Sequence, residues 1–241
     1  MALLSDLSQY KKILLAPNIP SYSLTPFPWV VPRDWTKNNI VELWGPGANG
    51  FNFFTPYKGG CGGGYARIYN LDLSIGTNIS YALGSVNGVT TVFGNFIQAT
   101  YGTPDNIGIG SVLSDGRAYQ TFVANGGKSY IGSGGGAGGP NGNGLDAFST
   151  GLGDNQSGRV AAGGNSETGT VGVNGISGTG GFDGTYGAGG GGQYGYSYGG
   201  NGAAYGGGGG SGQLSIGTGG LGAIIIHYIP AIFHTPSSWI S

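Results

Sequence analysis

The stretch Asn39-Ile-Val-Glu-Leu-Trp-Gly-Pro-Gly47 joins an apolar, β-branched run directly to glycine and proline, and this junction decides the fold class. Residues 39–44 are typical of a β-strand, because Ile, Val, Leu and Trp favour a pleated, half-buried surface. The Gly-Pro-Gly that follows is a strong turn signal, which ends the run. The stretch therefore predicts a β-protein whose strands are short and are separated by glycine.

Further runs on the C-terminal side carry the same signal. Residues 65–69 alternate in polarity, and Leu71 and Leu73 continue the alternation. Period-two patterns at such short spacing favour an antiparallel sandwich or an open barrel. The closing run 223–229 is apolar throughout, so we expect a strand that is buried on both faces and ends at Pro230. The remaining predicted strands are 78–83, 90–93 and 118–124.

Residues 1–33 have a different texture. Leu3, Leu7, Tyr10 and Leu14 follow one another at spacings of 4, 3 and 4, which predicts a short amphipathic helix. That helix either caps its own domain or docks on another protein. Five prolines follow, and they predict an extended, semi-rigid arm. They are Pro17, Pro20, Pro26, Pro28 and Pro32.

Glycine dominates residues 125–222, and the chain as a whole has 57 glycines in 241 residues. Every third residue from Gly169 to Gly190 is glycine, which matches the three residues per turn of a polyproline-II-type helix. Such helices satisfy their main-chain groups only by bonding to neighbours, and glycine permits the close approach. Collagen shares the period, but this run contains no proline, so we expect a self-packed lattice with a turn near Phe182 and Asp183.

Charge and cysteine content exclude several classes of function. The net charge is −1 and the nine basic residues are scattered, so no nucleic-acid footprint is present. Cys61 is the sole cysteine, which excludes an internal disulfide. No apolar run is long enough for membrane insertion, and the N-terminus lacks the pattern of an export signal. His227 and His234 form no catalytic pattern with the isolated acids, so we expect neither enzymatic activity nor a metal or cofactor.

At the level of motifs, residues 34–229 resemble a family of glycine-rich virion proteins of tailed bacteriophages and prophages. The resemblance implies a virion protein that assembles in the host cytoplasm and acts at the host cell surface. Related-looking tail-fibre adhesins stack polyglycine-II helices in layers and present loops to bacterial receptors. The motifs are Asp34-Trp-Thr, Asn39-Ile-Val-Glu-Leu-Trp-Gly-Pro-Gly-Ala-Asn-Gly50, Gly59-Gly-Cys-Gly-Gly-Gly-Tyr-Ala66, Leu73-Ser-Ile-Gly76 with Ile79, Gly88-Val-Thr-Thr-Val-Phe-Gly94 and Gly219-Gly-Leu-Gly-Ala-Ile-Ile-Ile-His-Tyr228.

The organisation predicted from these observations has four parts. Residues 1–33 are an attachment arm to other virion proteins, with Leu3, Leu7, Tyr10 and Leu14 as the contacts. Residues 34–124 are a strand framework, 125–222 an inserted polyglycine-II lattice, and 223–241 a closing strand and tail. The fold class is therefore all-β, an antiparallel sandwich-like framework that carries the lattice.

Aromatic residues in the glycine region are the candidates for binding an outer-membrane protein or a glycan. Tyrosine presents a rigid amphipathic ring at little entropic cost, which suits a binding surface. The alternative is that the rings pack on the lattice or on a neighbouring copy, in a structural virion protein such as a capsid decoration. A depolymerase would need an acid pair that the sequence does not offer. The candidates are Tyr194, Tyr196, Tyr198, Tyr205, Phe182 and Tyr186, with Phe148, Asp154 and Arg159 in a second loop.

Overall fold

A computed structural model describes residues 10–15, 27–51, 58–85, 88–113, 117–129, 134–140, 142–147, 201–202, 205–211 and 216–232. These residues form strands and irregular segments, and none of them is helical. Within the same ranges no helix long and apolar enough to span a membrane occurs. The sheet-rich, all-β character predicted from the sequence is therefore confirmed for the described part of the chain.

Two antiparallel five-stranded sheets organise the strands. The first sheet has the order β1-β10-β3-β4-β9, and the second has the order β2-β5-β6-β7-β8. The strands are β1 (Lys11–Leu15), β2 (Phe27–Val30), β3 (Asn39–Trp44), β4 (Tyr65–Tyr69), β5 (Asn78–Ala82), β6 (Thr91–Phe93), β7 (Ile97–Ala99), β8 (Gly110–Val112), β9 (Thr121–Ala124) and β10 (Ala223–Tyr228).

Most predicted strands are present, with small differences at their ends. The strand predicted through Leu73 ends instead at Tyr69, because Asn70 takes a positive φ of 57° and turns the chain. The three-residue strands β7 and β8 were not predicted, since each is too short to show a repeat. β3 is buried along its whole length between β10 and β4, as its apolar composition requires.

The helix predicted from Leu3 to Leu14 is wrong where the structure describes it. Residues 11–15 are instead the edge strand β1, which pairs with β10. Ile13 and Leu15 pack against the core, whereas Leu14 points away and is 47% exposed. The open edge of β10 offers main-chain partners, and this tertiary pairing overrides the helical spacing. Leu3 and Leu7 lie outside the described residues, and the predicted proline arm supplies β2 to the second sheet.

One hydrophobic core takes side chains from both sheets. The first sheet contributes Val41 and Ile226 among others, and the second contributes Phe93 and Ile97. Trp35 from the segment before β3 lies 5.1 Å from the Tyr228 ring and extends the aromatic packing. Aromatic and aliphatic burial of this kind is the dominant favourable term for the two sheets.

Glycine segments extend β3, β4, β9 and β10 beyond one end of the first sheet. The register of β3 with β10 continues into them, since the Gly47 amide donates to the Gly220 carbonyl and the Gly50 amide to the Gly217 carbonyl, both at 2.9 Å. The bonded positions are now three residues apart, whereas paired positions in an antiparallel sheet recur every two. We call residues 45–51, 58–64, 100–108, 125–129, 134–138, 143–147, 201–202 and 206–222, where described, the glycine bundle.

Residues 60–64 lie at the centre of the glycine bundle, and each of their main-chain N–H and C=O groups is hydrogen-bonded. Main-chain groups three residues apart bond to the same neighbouring segment. The amides therefore point to three segments and the carbonyls to three others, so six segments surround this one. The amides of Gly60 and Gly63 donate to Gly209 and Gly206, those of Cys61 and Gly64 to Thr103 and Thr100, and that of Gly62 to Gly127. The carbonyls of Gly60 and Gly63 accept from Gly135 and Gly138, those of Cys61 and Gly64 from Ala48 and Gly45, and that of Gly62 from Gly108.

The Gly62→Ala substitution is expected to destabilise the fold by at least about 3 kcal/mol. A Cβ at Gly62 would lie 1.9 Å from the Gly136 carbonyl oxygen, so two main chains would have to separate. The adjacent Cys61→Ala is the matched control, because Cys61 already carries a Cβ and its Sγ makes only weak contacts, with Ser129 and the Pro104 carbonyl. Urea denaturation of the three proteins measures the difference, and equal midpoints for the two variants would contradict the packing described.

Candidate functional site

The glycine bundle has two ends, and its far end, remote from the first sheet, is where its segments reverse. The Phe51 amide donates to the Lys58 carbonyl at 2.7 Å, which brackets one reversal. Ser211 and Ile216 form an antiparallel bridge that brackets another. Thr103 closes a third, since its amide donates to the Asn106 carbonyl at 2.7 Å. The far end therefore collects several loops on one rigid support.

The chain also leaves and rejoins the glycine bundle at the far end on either side of residues 148–200. On one side the Ala147 amide donates to the Lys128 carbonyl at 2.8 Å. On the other, the Gly202 amide donates to the Thr218 carbonyl at 2.8 Å, and Asn201 Oδ1 accepts from the Thr218 amide at 2.9 Å. The flanks of this long segment are thus fixed by main-chain bonds next to the other reversals.

Most residues predicted to bind a receptor lie outside the described residues. Tyr205 is the one that the structure describes, and it lies at the sheet end of the glycine bundle. Its φ is 63° and its ring centroid is 5.6 Å from that of Trp44. Tyr10 and Leu14 lie on or beside the edge strand β1. The candidates outside the described residues are Phe148, Asp154, Arg159, Phe182, Tyr186, Tyr194, Tyr196 and Tyr198.

Two exposed apolar side chains lie at the far end, and neither was predicted from the sequence as a site residue. Phe51 is 47% exposed and Ile216 is 44% exposed. Both line a shallow cavity of about 360 Å³ whose wall includes Tyr101 and Pro104. Each adjoins a glycine run, Phe51 after Gly50 and Ile216 before Gly217, and that position was the available signal.

An exposed ion pair lies at the same end of the molecule. Lys58 bonds to Asp105, and both side chains remain solvent-accessible. Asp105 is held in a tight turn because Thr103 Oγ1 accepts hydrogen bonds from the amides of Asp105 and Asn106, at 3.2 and 2.8 Å. Exposed ion pairs contribute little to stability, so we expect this pair to matter more for contacts at the surface than for the stability of the fold. Apolar side chains beside charged ones resemble the core and rim of a protein interface.

A buried ionic cluster lies on the first sheet, on the face opposite the core. Glu42 Oε1 accepts hydrogen bonds from the Tyr65 hydroxyl at 2.5 Å and from Arg67 Nε at 3.0 Å. Its Oε2 lies 3.2 Å from His227 Nε2, so His227 is bound to the sheet's own carboxylate. The Arg67 guanidinium also lies over the rings of Tyr65 and Tyr69, at 5.6 and 5.7 Å.

The charges in this cluster stabilise one another. Burial alone raises the pKa of Glu42, but hydrogen bonds from His227 and Tyr65 and the charge of Arg67 outweigh it and lower that pKa to about 2. Burial opposes the charge of Arg67, yet the Glu42 carboxylate outweighs this and raises the pKa of Arg67. Burial and the same carboxylate raise the pKa of Tyr65, which therefore remains a donor. The cluster is a satisfied network with a single carboxylate.

The cavities and side-chain clusters within the described ranges show no arrangement of paired acids. The far-end cavity has no carboxylate in its wall, and a larger groove on the second sheet has only Asp72. No group of three or more His, Cys, Asp and Glu residues that could hold a metal occurs there.

Acidification is expected to destabilise the fold through Glu42. The pKa of this carboxyl is about 2 in the folded protein and ordinarily 4.5. Because the folded value is the lower one, the stabilisation is complete above pH 4.5 and is lost as the pH falls toward 2. The difference corresponds to roughly 3 kcal/mol in the free energy of unfolding, which urea denaturation over a pH series measures.

Replacing Glu42 isolates its contribution. Near neutral pH, Glu42→Gln should cost about 3–5 kcal/mol, because it leaves the Arg67 charge buried without its partner. The same variant should lose most of the acid dependence of stability. Asp72→Asn is the control, since the Asp72 side chain is 58% exposed and its loss should change stability by less than about 0.5 kcal/mol. A Glu42→Gln protein that keeps the original pH slope would contradict this assignment.

The comparisons with known proteins assign no function to the candidate site. No protein-family model matches the chain, and no curated protein sequence matches it. The resemblance to glycine-rich virion proteins therefore remains one of motifs, carried by the junctions of strand and glycine on either side of the bundle. The function has to be inferred from the far end and its support.

Proposed function

We propose that this chain is a non-enzymatic virion protein of a tailed bacteriophage, a tail-fibre or tail-tip adhesin that binds a bacterial surface receptor. The observation that carries the proposal is the concentration of chain reversals at the far end of the glycine bundle, around Phe51 and Ile216. Loops held on a rigid scaffold are the usual location of binding residues. The receptor is an outer-membrane protein or a surface glycan, and binding needs no cofactor.

The support for a polyglycine-II lattice is the repeat of three seen around residues 60–64. Their N–H and C=O groups return to the same neighbouring segments at every third residue, as a helix with three residues per turn requires. The run Gly169–Gly190, for which the sequence predicts the same period, lies outside the described residues. The two sheets with their shared core form the sandwich-like base of the lattice in this proposal.

The two ends of the molecule suit different partners. The residues nearest the described N-terminal end, Tyr10 and Lys11, lie beside Tyr228 at the end of the first sheet remote from the glycine bundle. Attachment to other virion proteins at this end would leave the far end directed outward to the host. Leu14, exposed on the edge strand β1 and paired with Ile225 nearer the glycine bundle, is a candidate contact along the same strand edge. In this arrangement the protein is a spacer between the particle and the receptor.

We assign receptor recognition to the far end of the glycine bundle and to the tyrosines of residues 148–200. Phe51 and Ile216 are expected to form an apolar centre, with the Lys58–Asp105 pair at its rim. Tyr194, Tyr196 and Tyr198 belong to the segment that starts and ends next to these residues, and they are the further contacts we propose. Aromatic side chains commonly dominate the energy of such interfaces.

Binding of the full-length protein to bacterial cells tests the proposal. The fluorescently labelled chain is titrated onto a panel of Gram-negative and Gram-positive strains, and saturable binding to at least one strain is expected. Two variants, Phe51→Ser with Ile216→Ser and the triple Tyr194→Ser, Tyr196→Ser, Tyr198→Ser, should each weaken it at least about tenfold. The control is Val30→Ser with Val112→Ser, two residues of similar exposure on the second sheet, which should leave binding unchanged.

The outcomes separate the adhesin from its alternative. A folded protein that binds no strain would favour a structural virion component, such as a capsid decoration, in which the same aromatic residues pack between copies. Equal loss of binding in the control and far-end variants would place the receptor site elsewhere. Circular dichroism of each variant verifies that the fold is retained.

A further inference from the structure

An open groove of about 770 Å³ runs along β5 of the second sheet, at the end remote from the glycine bundle. Its volume is within the range of small-molecule sites. Tyr81 and Phe96 give it an aromatic wall, and both rings are half-buried. Asn78, Asn95 and Arg117 add exposed polar groups. The groove therefore combines ring surfaces with planar hydrogen-bonding groups.

The aromatic wall is held rigidly before any ligand arrives. The Phe96 ring packs edge-on against Tyr119 at 6.3 Å and lies 6.4 Å from Phe93 in the core. The Phe96 carbonyl accepts from the Leu113 amide at 2.8 Å, which fixes the main chain. Tyr81, on β5, packs against the hydrophobic core. Pre-organised rings lose little entropy on binding, so they suit a weakly apolar ligand.

The polar groups of the groove can both donate hydrogen bonds to ligand hydroxyls and accept hydrogen bonds from them. The amides of Asn78 and Asn95 each donate and accept, and the guanidinium of Arg117 donates. The Arg117 Nη1 atom lies 3.4 Å from the Tyr119 hydroxyl, and the Tyr119 ring packs edge-on against Phe96. A sugar ring presents an apolar C–H face to an aromatic side chain and hydroxyls at its edge. The groove offers a counterpart to each: aromatic rings for the apolar face, and amide and guanidinium groups for the hydroxyls.

Other ligand classes fit less well. An extended peptide would need an open strand edge, but β5 is paired with β2 on one side and β6 on the other. A nucleic acid would need several cations, and Arg117 is the only basic residue in the groove's wall as the structure describes it. A purely apolar ligand would make no use of the exposed amides of Asn78 and Asn95.

We propose that this groove is a second binding site, for a neutral hexose oligosaccharide, separate from the far end of the glycine bundle. The site is open along its length, so an internal stretch of a longer glycan chain can occupy it. It goes beyond the proposed receptor function, because it lies on the second sheet and uses none of the far-end residues. Affinity for a short fragment is expected in the millimolar range, as for a shallow, solvent-exposed site.

Titration of the full-length, ¹⁵N-labelled chain with four neutral trisaccharides tests this site. The probes are maltotriose, cellotriose, isomaltotriose and mannotriose, followed by amide chemical shifts. At least one probe should shift amides within 72–82 and 94–96 and at residue 117, in a saturable manner. Ser80→Arg, which fills the groove from an exposed position on β5, should weaken binding at least about tenfold.

Two further variants keep the result interpretable. Arg117→Ala removes an exposed guanidinium and should weaken binding several-fold without unfolding the protein. Gln120→Arg is the control, because Gln120 is exposed and does not line the groove. The proposal is overturned if no probe shifts these amides, if the shifts map elsewhere, or if Ser80→Arg binds like the unaltered chain. Cell binding through the far end is a separate measurement, so either proposal can fail alone.

Discussion

The contact of glycine main chains around residues 60–64 is the constraint on which the rest of the structure depends. Main-chain groups three residues apart bond to the same neighbouring segment, and six segments fit around this one because glycine at positions 60, 62, 63 and 64 leaves no Cβ between the chains. Glycine loses more conformational entropy on folding than any other residue, so the arrangement is costly for each residue that it orders. Net hydrogen-bond contributions of about 0.5–1.5 kcal/mol each offset that cost only where nearly every group is paired. A bundle of many segments meets this condition, and a single glycine helix does not.

The two sheets supply what the glycine bundle lacks, an apolar core and a fixed register. β3, β4 and β10 bury most of their side chains up to Trp44, Tyr65 and Ala223, and beyond these residues the same chains continue as glycine. The sheet therefore sets the alignment of the first bundle segments, and the others bond to them. Tyr205 lies over Trp44 at this boundary and joins the two regions. Because the register is shared, we expect the sheets and the bundle to unfold together.

The sequence predicts the parts of this arrangement that a local pattern encodes. The apolar runs at β3 and β10 indicate buried strands, and the spacing of glycine indicates a repeat of three. It does not predict which segments become neighbours, since Gly62 gives no sign that Gly108 and Gly127 will flank it. For the same reason the partner of Glu42 could not be identified, although one acid within an apolar strand signals a buried counter-charge. The predicted N-terminal helix failed because the edge of β10 takes residues 11–15 as a strand, and most of the predicted site residues lie outside the described part of the chain.

Most hydrogen bonds of the glycine bundle join main-chain atoms, and this largely separates stability from recognition. The reversals at Phe51 and Ile216 are closed through main-chain atoms, so the bundle places little constraint on the identity of these two side chains. A binding surface on such a support can change its specificity without repacking a core. The groove beside Tyr81 and Phe96 has the opposite property, because those rings also pack against the hydrophobic core. Substitution at the far end should therefore be tolerated by the fold, whereas substitution of the groove's aromatic wall affects binding and stability together.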